Sequence, residues 1–255
     1  MLGNGDSEGV QAGLQARADV LAAIRLGGLV PWSTVDYPGH QSAVLFCAGC
    51  PWRCAYCHNS HLWLPRADVS WASVQAFLAR RRGLLDAVVI SGGEPLAQAG
   101  PVASALAAIR EAGFKTALHT AGVAPHRLAK LLPLLDWVGL DIKAPFDRYA
   151  AVTGSRRSGA AARAALDEVL TSGIACELRT TVHPDLLSEA DLVAMVTELR
   201  GLGVERLILK DFRAQGCADA VLAASYRPWL SAALAGRLRA VMPAIVLPDQ
   251  VGAAA

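Results

Sequence analysis

Four of the six cysteines in this 255-residue chain lie within eleven residues, at positions 47, 50, 54 and 57. The last three have the spacing C-x3-C-x2-C and follow an apolar, strand-like segment at residues 42–46. In a reducing compartment, cysteines clustered in this way are more often metal ligands or redox groups than structural disulfides. Three thiolates so close in sequence can hold one small inorganic centre. The cysteine loop, residues 47–59, is therefore the first candidate site.

The spacing leaves two kinds of centre open. A structural zinc ion takes four tetrahedral ligands, which Cys47 and the three following cysteines supply, with His58 able to replace one. Structural zinc ligands usually come as two pairs separated by a longer loop, however, and here all four are crowded together. An iron–sulfur cluster held by thiolates with short spacings fits better. A cluster held by only three cysteines would leave one of its irons without a protein ligand.

Composition limits the classes of protein that this chain can represent. With 53% hydrophobic and 18% charged residues, the chain is long and apolar enough to bury a core. A net charge of +2 gives no reason to expect a nucleic acid or a membrane as partner. Residues 1–10 lack the features of a signal peptide, and no apolar run reaches the ~18 residues of a membrane span. We therefore expect a cytoplasmic protein.

Strand-like and helical segments alternate along most of the chain. Six apolar segments are predicted strands: residues 43–46, 87–90, 115–118, 137–142, 177–182 and 206–209. A further strand is expected to begin near Ile24. Helices are predicted between the six strands, and a last one around residues 218–234. This alternation predicts a parallel sheet with right-handed crossovers.

Polar residues at the ends of these strands indicate which parallel fold is formed. They include Gly-Glu at 93–94, His-Thr at 119–120, Asp-x-Lys at 141–143 and His183. Polar groups at nearly every carboxyl end suit the mouth of a barrel better than a single switch point. Because six strands are too few for an eightfold barrel, we predict an α/β fold with a partial (β/α)6 barrel. Residues 23–255 would form one domain, after an N-terminal extension at 1–22 of doubtful order.

Two motifs together resemble the radical S-adenosylmethionine (SAM) superfamily. They are the C-x3-C-x2-C motif, with Tyr56 before its last cysteine, and Gly-Gly-Glu-Pro at residues 92–95. Further segments resemble the activating protein of the anaerobic ribonucleoside-triphosphate reductase, namely residues 36–39, 54–59, 140–145, 152–154 and 178–183. The resemblance runs from about residue 24 to residue 213.

This resemblance implies a chemistry and its cofactors. Cys50, Cys54 and Cys57 would ligate three irons of one [4Fe-4S] cluster, and SAM would chelate the fourth. An electron from the cluster would cleave SAM to a 5′-deoxyadenosyl radical, which abstracts hydrogen from a glycine of a partner enzyme. The implied partners are the glycyl-radical catalytic subunit of the anaerobic reductase and an electron donor such as flavodoxin or ferredoxin. Two alternatives are a radical SAM enzyme with another substrate and a non-catalytic zinc or electron-transfer protein.

The resemblance also implies which residues contact SAM. Gly92 and Gly93 would let the backbone approach the methionine moiety, and Glu94 would accept hydrogen bonds from its ammonium group. A compact lysine ammonium would meet a carboxylate, and Lys143 is one of only four lysines beside twenty arginines. The implied contacts are Tyr56, Gly92, Gly93, Glu94, Thr120, Asp141, Lys143 and His183. His183 and Arg213 are expected at the rim of the site.

Two residues depart from the family pattern. His119 stands where glycyl-radical activating enzymes usually carry an acidic residue. It can replace an acceptor only if its ring is neutral. Cys47 is additional to the three-ligand motif, and we expect it to pack in the loop. No second cysteine-rich segment is present, so one cluster is expected.

Overall fold

The computed structural model describes residues 15–16 and 19–248. Its strands are β1 Leu26–Ser33, β2 Ser42–Cys47, β3 Ala87–Gly92, β4 Lys115–Thr120, β5 Trp137–Asp141, β6 Cys176–Val182 and β7 Ile208–Asp211. Its α-helices are α1 Trp71–Ala79, α2 Ala99–Glu111, α3 Pro125–Leu131, α4 Tyr149–Thr153, α5 Ser158–Ser172, α6 Glu189–Gly201, α7 Ala220–Ser225 and α8 Ala232–Val241. Short 3-10 helices occupy Ser60–Leu62, Pro95–Gln98 and Leu132–Leu134.

The strands form one sheet in the order β1 to β7, with β2 to β7 parallel and β1 antiparallel to β2. Strictly sequential order with right-handed crossovers places the helices on one side of the sheet. A doubly wound sheet would instead reverse its strand order at a switch point. The sheet is not closed, and the predicted α/β partial barrel is confirmed.

The further strand expected to begin near Ile24 is β1, which starts at Leu26 and, unlike the six predicted parallel strands, is antiparallel to its neighbour. Only residues 34–41 connect β1 to β2, and this is too short for a parallel crossover. The two strands therefore pair as an antiparallel hairpin that adds a seventh strand at the edge of the sheet.

Side chains alternate between the two faces of the sheet. In β2, Ala43 and Leu45 belong to the large core under the helices, whereas Val44 faces the inner side. The inner cluster consists of Tyr37, Val44, Ala87, Val89, Ala117 and Trp137. Five of these residues come from the amino-terminal halves of the strands and Tyr37 from the connection between β1 and β2, so they fill one end of the barrel. The carboxyl end is left to polar side chains.

Local signals set several helix boundaries as predicted. Ser70 caps α1 by accepting a hydrogen bond from the Ser73 amide, and Ser188 and Asp191 form the predicted capping box of α6. The prediction of a single helix around residues 218–234 was wrong. Two helices form there, α7 and α8, because Pro228 lacks an amide hydrogen and disfavours helix at the residue before it.

Most of the predicted N-terminal extension, residues 1–22, lies outside the described residues. Within the described part of the chain, no helix is both long and apolar enough to span a membrane.

Candidate functional site

A cavity opens at the carboxyl ends of the strands, beside the cysteine loop. Ten of the eleven residues predicted as cluster ligands or SAM contacts line this cavity: Cys50, Cys54, Cys57, Tyr56, Gly92, Gly93, Glu94, Thr120, Asp141 and Lys143. They come from the cysteine loop and from the ends of β3, β4 and β5. The parallel sheet therefore brings together motifs that are up to 93 residues apart in the sequence.

The three cysteines on this cavity are free thiols, with Cys54 buried and Cys50 and Cys57 partly buried. Burial raises the pKa of Cys50 to about 12 and also raises the pKa of Cys54, despite the nearby Lys143 ammonium. A metal centre reverses this tendency, because a thiol that coordinates a metal is deprotonated. Three soft donors on one loop are a suitable ligand set for an iron–sulfur cluster.

The arrangement of these ligands differs from that of a zinc site. A structural zinc ion needs four ligands that converge on one point, whereas each thiolate of a four-iron cluster binds a different iron. Among the described residues, no three His, Cys, Asp or Glu side chains are arranged to hold a single metal ion. The structure therefore offers no observation in favour of the zinc alternative.

The glycines after β3 pack tightly against the cysteine loop. A Cβ on Gly92 would lie 2.3 Å from the Cys47 amide nitrogen, and one on Gly93 would lie 2.7 Å from the Gly49 carbonyl oxygen. Gly92 also has φ +115°, which L side chains rarely adopt. The Gly93 amide donates to the Cys47 carbonyl at 2.8 Å. Both glycines therefore fix the cysteine loop against the sheet, a role that the sequence did not predict.

Glu94 is buried and is held by three protein donors. Its Oε1 accepts from the Thr120 hydroxyl at 2.7 Å and the Leu96 amide at 3.0 Å, and its Oε2 accepts from the Ala121 amide at 2.9 Å. Burial raises the pKa of Glu94, and these three hydrogen bonds act in the opposite direction. Glu94 thus connects the ends of β3 and β4 beneath the cavity.

Asp141 lies between two cations at the end of β5. Lys143 Nζ is 3.5 Å from its Oδ2, and Arg179 Nε is 3.5 Å from its Oδ1. Desolvation disfavours the ionised carboxyl, but the two cations hold the pKa of Asp141 below its ordinary value. Lys143 is buried, and its Nζ also lies 5.5 Å from the centre of the Tyr56 ring. The cavity therefore presents an ammonium, a carboxylate and an aromatic ring side by side.

His119 is neutral in this environment. Burial and the Arg179 guanidinium lower its pKa to about 3, which outweighs the nearby Asp36 carboxylate. Its Nε2 donates to the Asp36 carbonyl at 2.7 Å, and this tautomer leaves Nδ1 to accept a long contact of 3.4 Å from the Ser91 hydroxyl. The His119 ring is therefore neutral, which is the condition under which it can replace a hydrogen-bond acceptor at this position.

Three residues of interest lie away from the cavity. His183 is buried, its Nε2 donates to the Leu222 carbonyl, and its Nδ1 accepts from the Asp185 amide. Cys47 is buried in the core under the helices, and burial raises its pKa to about 12. Arg213 is exposed beyond the end of β7. The structure thus does not bring His183 to the cavity.

Sequence reasoning missed some residues around the site, chiefly Arg179, Trp52 and Ser91. Trp52 and Ser91 line the cavity, and Arg179 supports Asp141 from below. An arginine in the middle of a predicted strand, between Leu178 and Thr180, is the signal that was available for Arg179, because a buried charge needs a partner.

Comparisons with known proteins agree with this site. The model of the radical SAM superfamily matches residues 44–199, and the chain therefore belongs to the radical SAM superfamily. Its cofactors are accordingly a [4Fe-4S] cluster and SAM.

Two relatives within the superfamily are named as activating enzymes. A protein of Methanocaldococcus jannaschii, named as a glycyl-radical enzyme activating enzyme, is 31% identical over 178 residues, which are 66% of this chain and 72% of that protein. The pyruvate formate-lyase-activating enzyme of Clostridium pasteurianum is 32% identical over 142 residues, which are 53% of this chain and 59% of that enzyme.

Solved structures share the fold. SuiB of Streptococcus suis, bound to the precursor peptide SuiA, has a TM-score of 0.58 at 15% identity over 80% of this chain and 48% of SuiB. The protein anSMEcpe with bound AdoMet has a TM-score of 0.55 at 14% identity over 65% of this chain and 49% of that chain. The chain thus spans about half the length of both structures.

Proposed function

We propose that this protein is an activase that cleaves SAM reductively and generates a glycyl radical on a partner enzyme. The observation that carries the proposal is one cavity that joins the three free cysteines to the Gly-Gly-Glu segment and to the Asp141–Lys143 pair. The names of the relatives, which are glycyl-radical activating enzymes, support the same reaction.

Cys50, Cys54 and Cys57 would hold the cluster through three of its irons. Three protein ligands leave one position open for a substrate, as in other catalytic metal sites. When bound, the cluster supplies the electron for SAM cleavage, and SAM supplies the radical. The chain's own part is to hold these groups away from water, since Trp52 and Tyr56, which line the cavity beside the cysteines, are both buried.

The remaining residues of the cavity would orient SAM. The amino-acid end of SAM carries one ammonium and one carboxylate, and the cavity offers Asp141 to the first and Lys143 to the second. Tyr56 would lie against an apolar or aromatic part of the ligand. Gly92, Gly93, Glu94 and Thr120 shape the floor on which it lies. We do not propose His183 as a contact, because both of its ring nitrogens have protein partners.

For the partner, we propose the glycyl-radical subunit of an anaerobic ribonucleotide reductase, on the strength of the segments at residues 36–39, 140–145 and 178–183. A second candidate is a pyruvate formate-lyase, because that enzyme appears in the name of a relative. The electron donor would be a flavodoxin or a ferredoxin. The six free cysteines support a reducing, cytoplasmic location.

Anaerobic reconstitution of the cluster tests whether the protein is an enzyme that cleaves SAM. We expect about four irons per chain and 5′-deoxyadenosine formation with a strong reductant. Cys54→Ala should abolish both. A protein without bound iron and sulfide, or without SAM cleavage, would favour the non-catalytic alternative. Mixing the active protein with each candidate partner should give a glycyl-radical electron paramagnetic resonance signal with only one of them. Intact cleavage without a signal from either would point to a different substrate.

A further inference from the structure

Gln98 is a buried polar residue to which the proposed reaction gives no role. It ends the 3-10 helix Pro95–Gln98, which follows Glu94 directly, and it is 5% exposed. It does not line the cavity. A buried carboxamide needs partners for both its oxygen and its nitrogen. The partners of Gln98 therefore show which parts of the molecule it joins.

Both polar groups of Gln98 pair with the backbone of one residue, Arg25, which lies 73 positions earlier and just before β1. The Gln98 Oε1 accepts from the Arg25 amide at 2.9 Å, and the Gln98 Nε2 donates to the Arg25 carbonyl at 2.9 Å. A carboxamide can donate and accept side by side in this way, whereas an ionised carboxylate can only accept. The side chain thus holds one backbone unit from both ends.

The Arg25 carbonyl also receives the cysteine loop. The Ala48 amide, which lies between Cys47 and the first predicted ligand, Cys50, donates to it at 2.9 Å. One carbonyl oxygen therefore accepts a hydrogen bond from Gln98 and another from the cysteine loop. Through this shared acceptor, Gln98 acts on the position of the loop without touching the cavity.

Two further hydrogen bonds join the cysteine loop to the Gly-Gly-Glu segment. The Gly93 amide donates to the Cys47 carbonyl at 2.8 Å, and the Glu94 amide donates to the Gly49 carbonyl at 3.0 Å. Both are backbone bonds, which a change of side chain leaves in place. The connection through Gln98 depends on a side chain, so a substitution can remove it alone.

We propose that Gln98 is a positioning residue that sets the place of the cysteine loop relative to the Gly-Gly-Glu segment. The proposal rests on the activase function above, in which SAM binds the cluster on the loop and lies on the floor that this segment forms. A reacting group displaced by about 1 Å can slow a reaction about a hundredfold, so a small movement of the loop would slow cleavage. SAM binding would suffer less, because Asp141 and Lys143 lie at the end of β5, away from this connection.

Gln98→Met tests the proposal, because methionine keeps the length and flexibility of glutamine but lacks a strong donor or acceptor. The first measurement is hydrogen exchange in the cofactor-free protein. Exchange at the Ala48 amide should become about tenfold faster, since the carbonyl that accepts from it loses its anchor. Exchange at Val44, in the middle of β2, should change much less. An unchanged exchange rate at Ala48 in the folded variant overturns the proposal.

The second set of measurements uses the protein with its cluster reconstituted. Gln98→Met should still bind about four irons per chain, because all three predicted ligands remain. Its KM for SAM should stay within about threefold, whereas its kcat for 5′-deoxyadenosine formation should fall about tenfold. The electron paramagnetic resonance spectrum of the reduced cluster should differ from that of the unmodified protein when SAM is present. An unaltered kcat together with an unaltered spectrum contradicts the proposal.

Thr116→Val is the matched control. Thr116 is also buried, and its hydroxyl donates to the Leu134 carbonyl at 2.7 Å, at the amino-terminal end of β4. Valine keeps the branched shape and removes the hydroxyl, so this variant should also lose stability. Its Ala48 exchange, its kcat and its spectrum should match those of the unmodified protein. Equal losses of kcat in the two variants would mean that Gln98 acts through stability alone, which rejects a positioning role.

A Gln98→Met protein that does not fold is replaced by Gln98→Asn, which keeps the carboxamide but shortens the side chain by one methylene group. Ala48 exchange should be faster, and kcat lower, than in Thr116→Val, and values equal to those of Thr116→Val overturn the proposal. An unmodified, reconstituted protein that cleaves no SAM contradicts the activase function itself. Hydrogen exchange at Ala48 then still decides whether Gln98 positions the loop, because it requires no cofactor.

Discussion

Arg179 Nε and Lys143 Nζ lie 3.5 Å from the two different oxygens of the Asp141 carboxylate. Lys143 borders the cavity, whereas Arg179 approaches from below and does not line it. The carboxylate is therefore held ionised and fixed in direction by a cation that a ligand cannot displace. A charge fixed in this way is worth more in a desolvated site than in water, because the surroundings do not have to reorganise.

Arg179 reaches Asp141 across the inner face of β5, where Gly139 has no side chain. A Cβ at position 139 would lie 2.7 Å from Arg179 Nη2 and 2.9 Å from His119 Cδ2. Gly139→Ala should therefore displace the guanidinium and destabilise the fold by about 1–3 kcal/mol through overpacking. A displaced Arg179 no longer fixes Asp141, so the charge-assisted contact between Asp141 and the SAM ammonium would be lost. Such a contact contributes about 1.5 kcal/mol, and its loss would weaken SAM binding roughly tenfold. Chemical denaturation and equilibrium SAM binding measure the two effects.

Gly236→Ala serves as the control for this substitution. Gly236 lies in α8, and a Cβ there would meet nothing within 4 Å. Because alanine favours helix over glycine by about 1 kcal/mol, this variant should be as stable as the unmodified protein or more so. SAM affinity that is equal in both alanine variants would contradict the role of Arg179.

The Glu94 carboxylate is predicted to matter for folding as well as for the cofactor. It accepts hydrogen bonds from Leu96, Thr120 and Ala121, and in Glu94→Gln an amide group would face at least one of these donors. One buried donor left unsatisfied costs about 1–3 kcal/mol. The cofactor-free variant should therefore unfold at lower denaturant concentration, whereas Thr120→Ser, which keeps the hydroxyl, should change little. An unaltered unfolding midpoint in Glu94→Gln, together with weak SAM binding, would assign Glu94 to the ligand alone.

Cys47 provides a test of the ligand assignment. It is fully buried under the helices, on the opposite face of β2 from Val44, and does not line the cavity. Cys47→Ala should keep the full iron content after reconstitution and cost about 1–2 kcal/mol for the small cavity. Cys54→Ala should lose its iron under the same conditions. Iron analysis and visible absorption distinguish the two variants. Iron loss in Cys47→Ala would make Cys47 a ligand and reopen the choice of centre.

Much of this architecture could be predicted because it depends on local patterns. Buried parallel strands appear as short apolar runs, and the polar residues that follow them must meet at one edge of the sheet. The cysteine spacing, the Gly-Gly-Glu segment and the Asp141–Lys143 pair are all signals of this kind. The structure places all of them on one cavity.

The remainder depends on contacts between distant segments. Nothing local indicates that Gly139 makes room for Arg179, since the two residues meet only across neighbouring strands. The glycines at 92 and 93 were expected to admit a ligand; both line the cavity, and the structure shows in addition that they pack against the backbone of the cysteine loop. His183 was expected at the rim, and the segment that buries it, around Leu222, follows it by 39 residues.

His119 should make stability depend on pH in a defined window. Its folded pKa is about 3, against an ordinary 6.5, because of burial and the Arg179 guanidinium. Between these values the unfolded chain binds a proton that the folded chain does not, so stability falls as pH is lowered below about 6.5. His119→Gln cannot take up that proton in either state. The free energy of unfolding can be measured with urea between pH 5 and pH 8. Towards pH 5 it should fall less steeply in His119→Gln than in the unmodified protein, by a slope that corresponds to at most one bound proton. Above pH 7 the two curves should run parallel. Parallel curves over the whole range would mean that the folded ring is protonated as readily as the unfolded one.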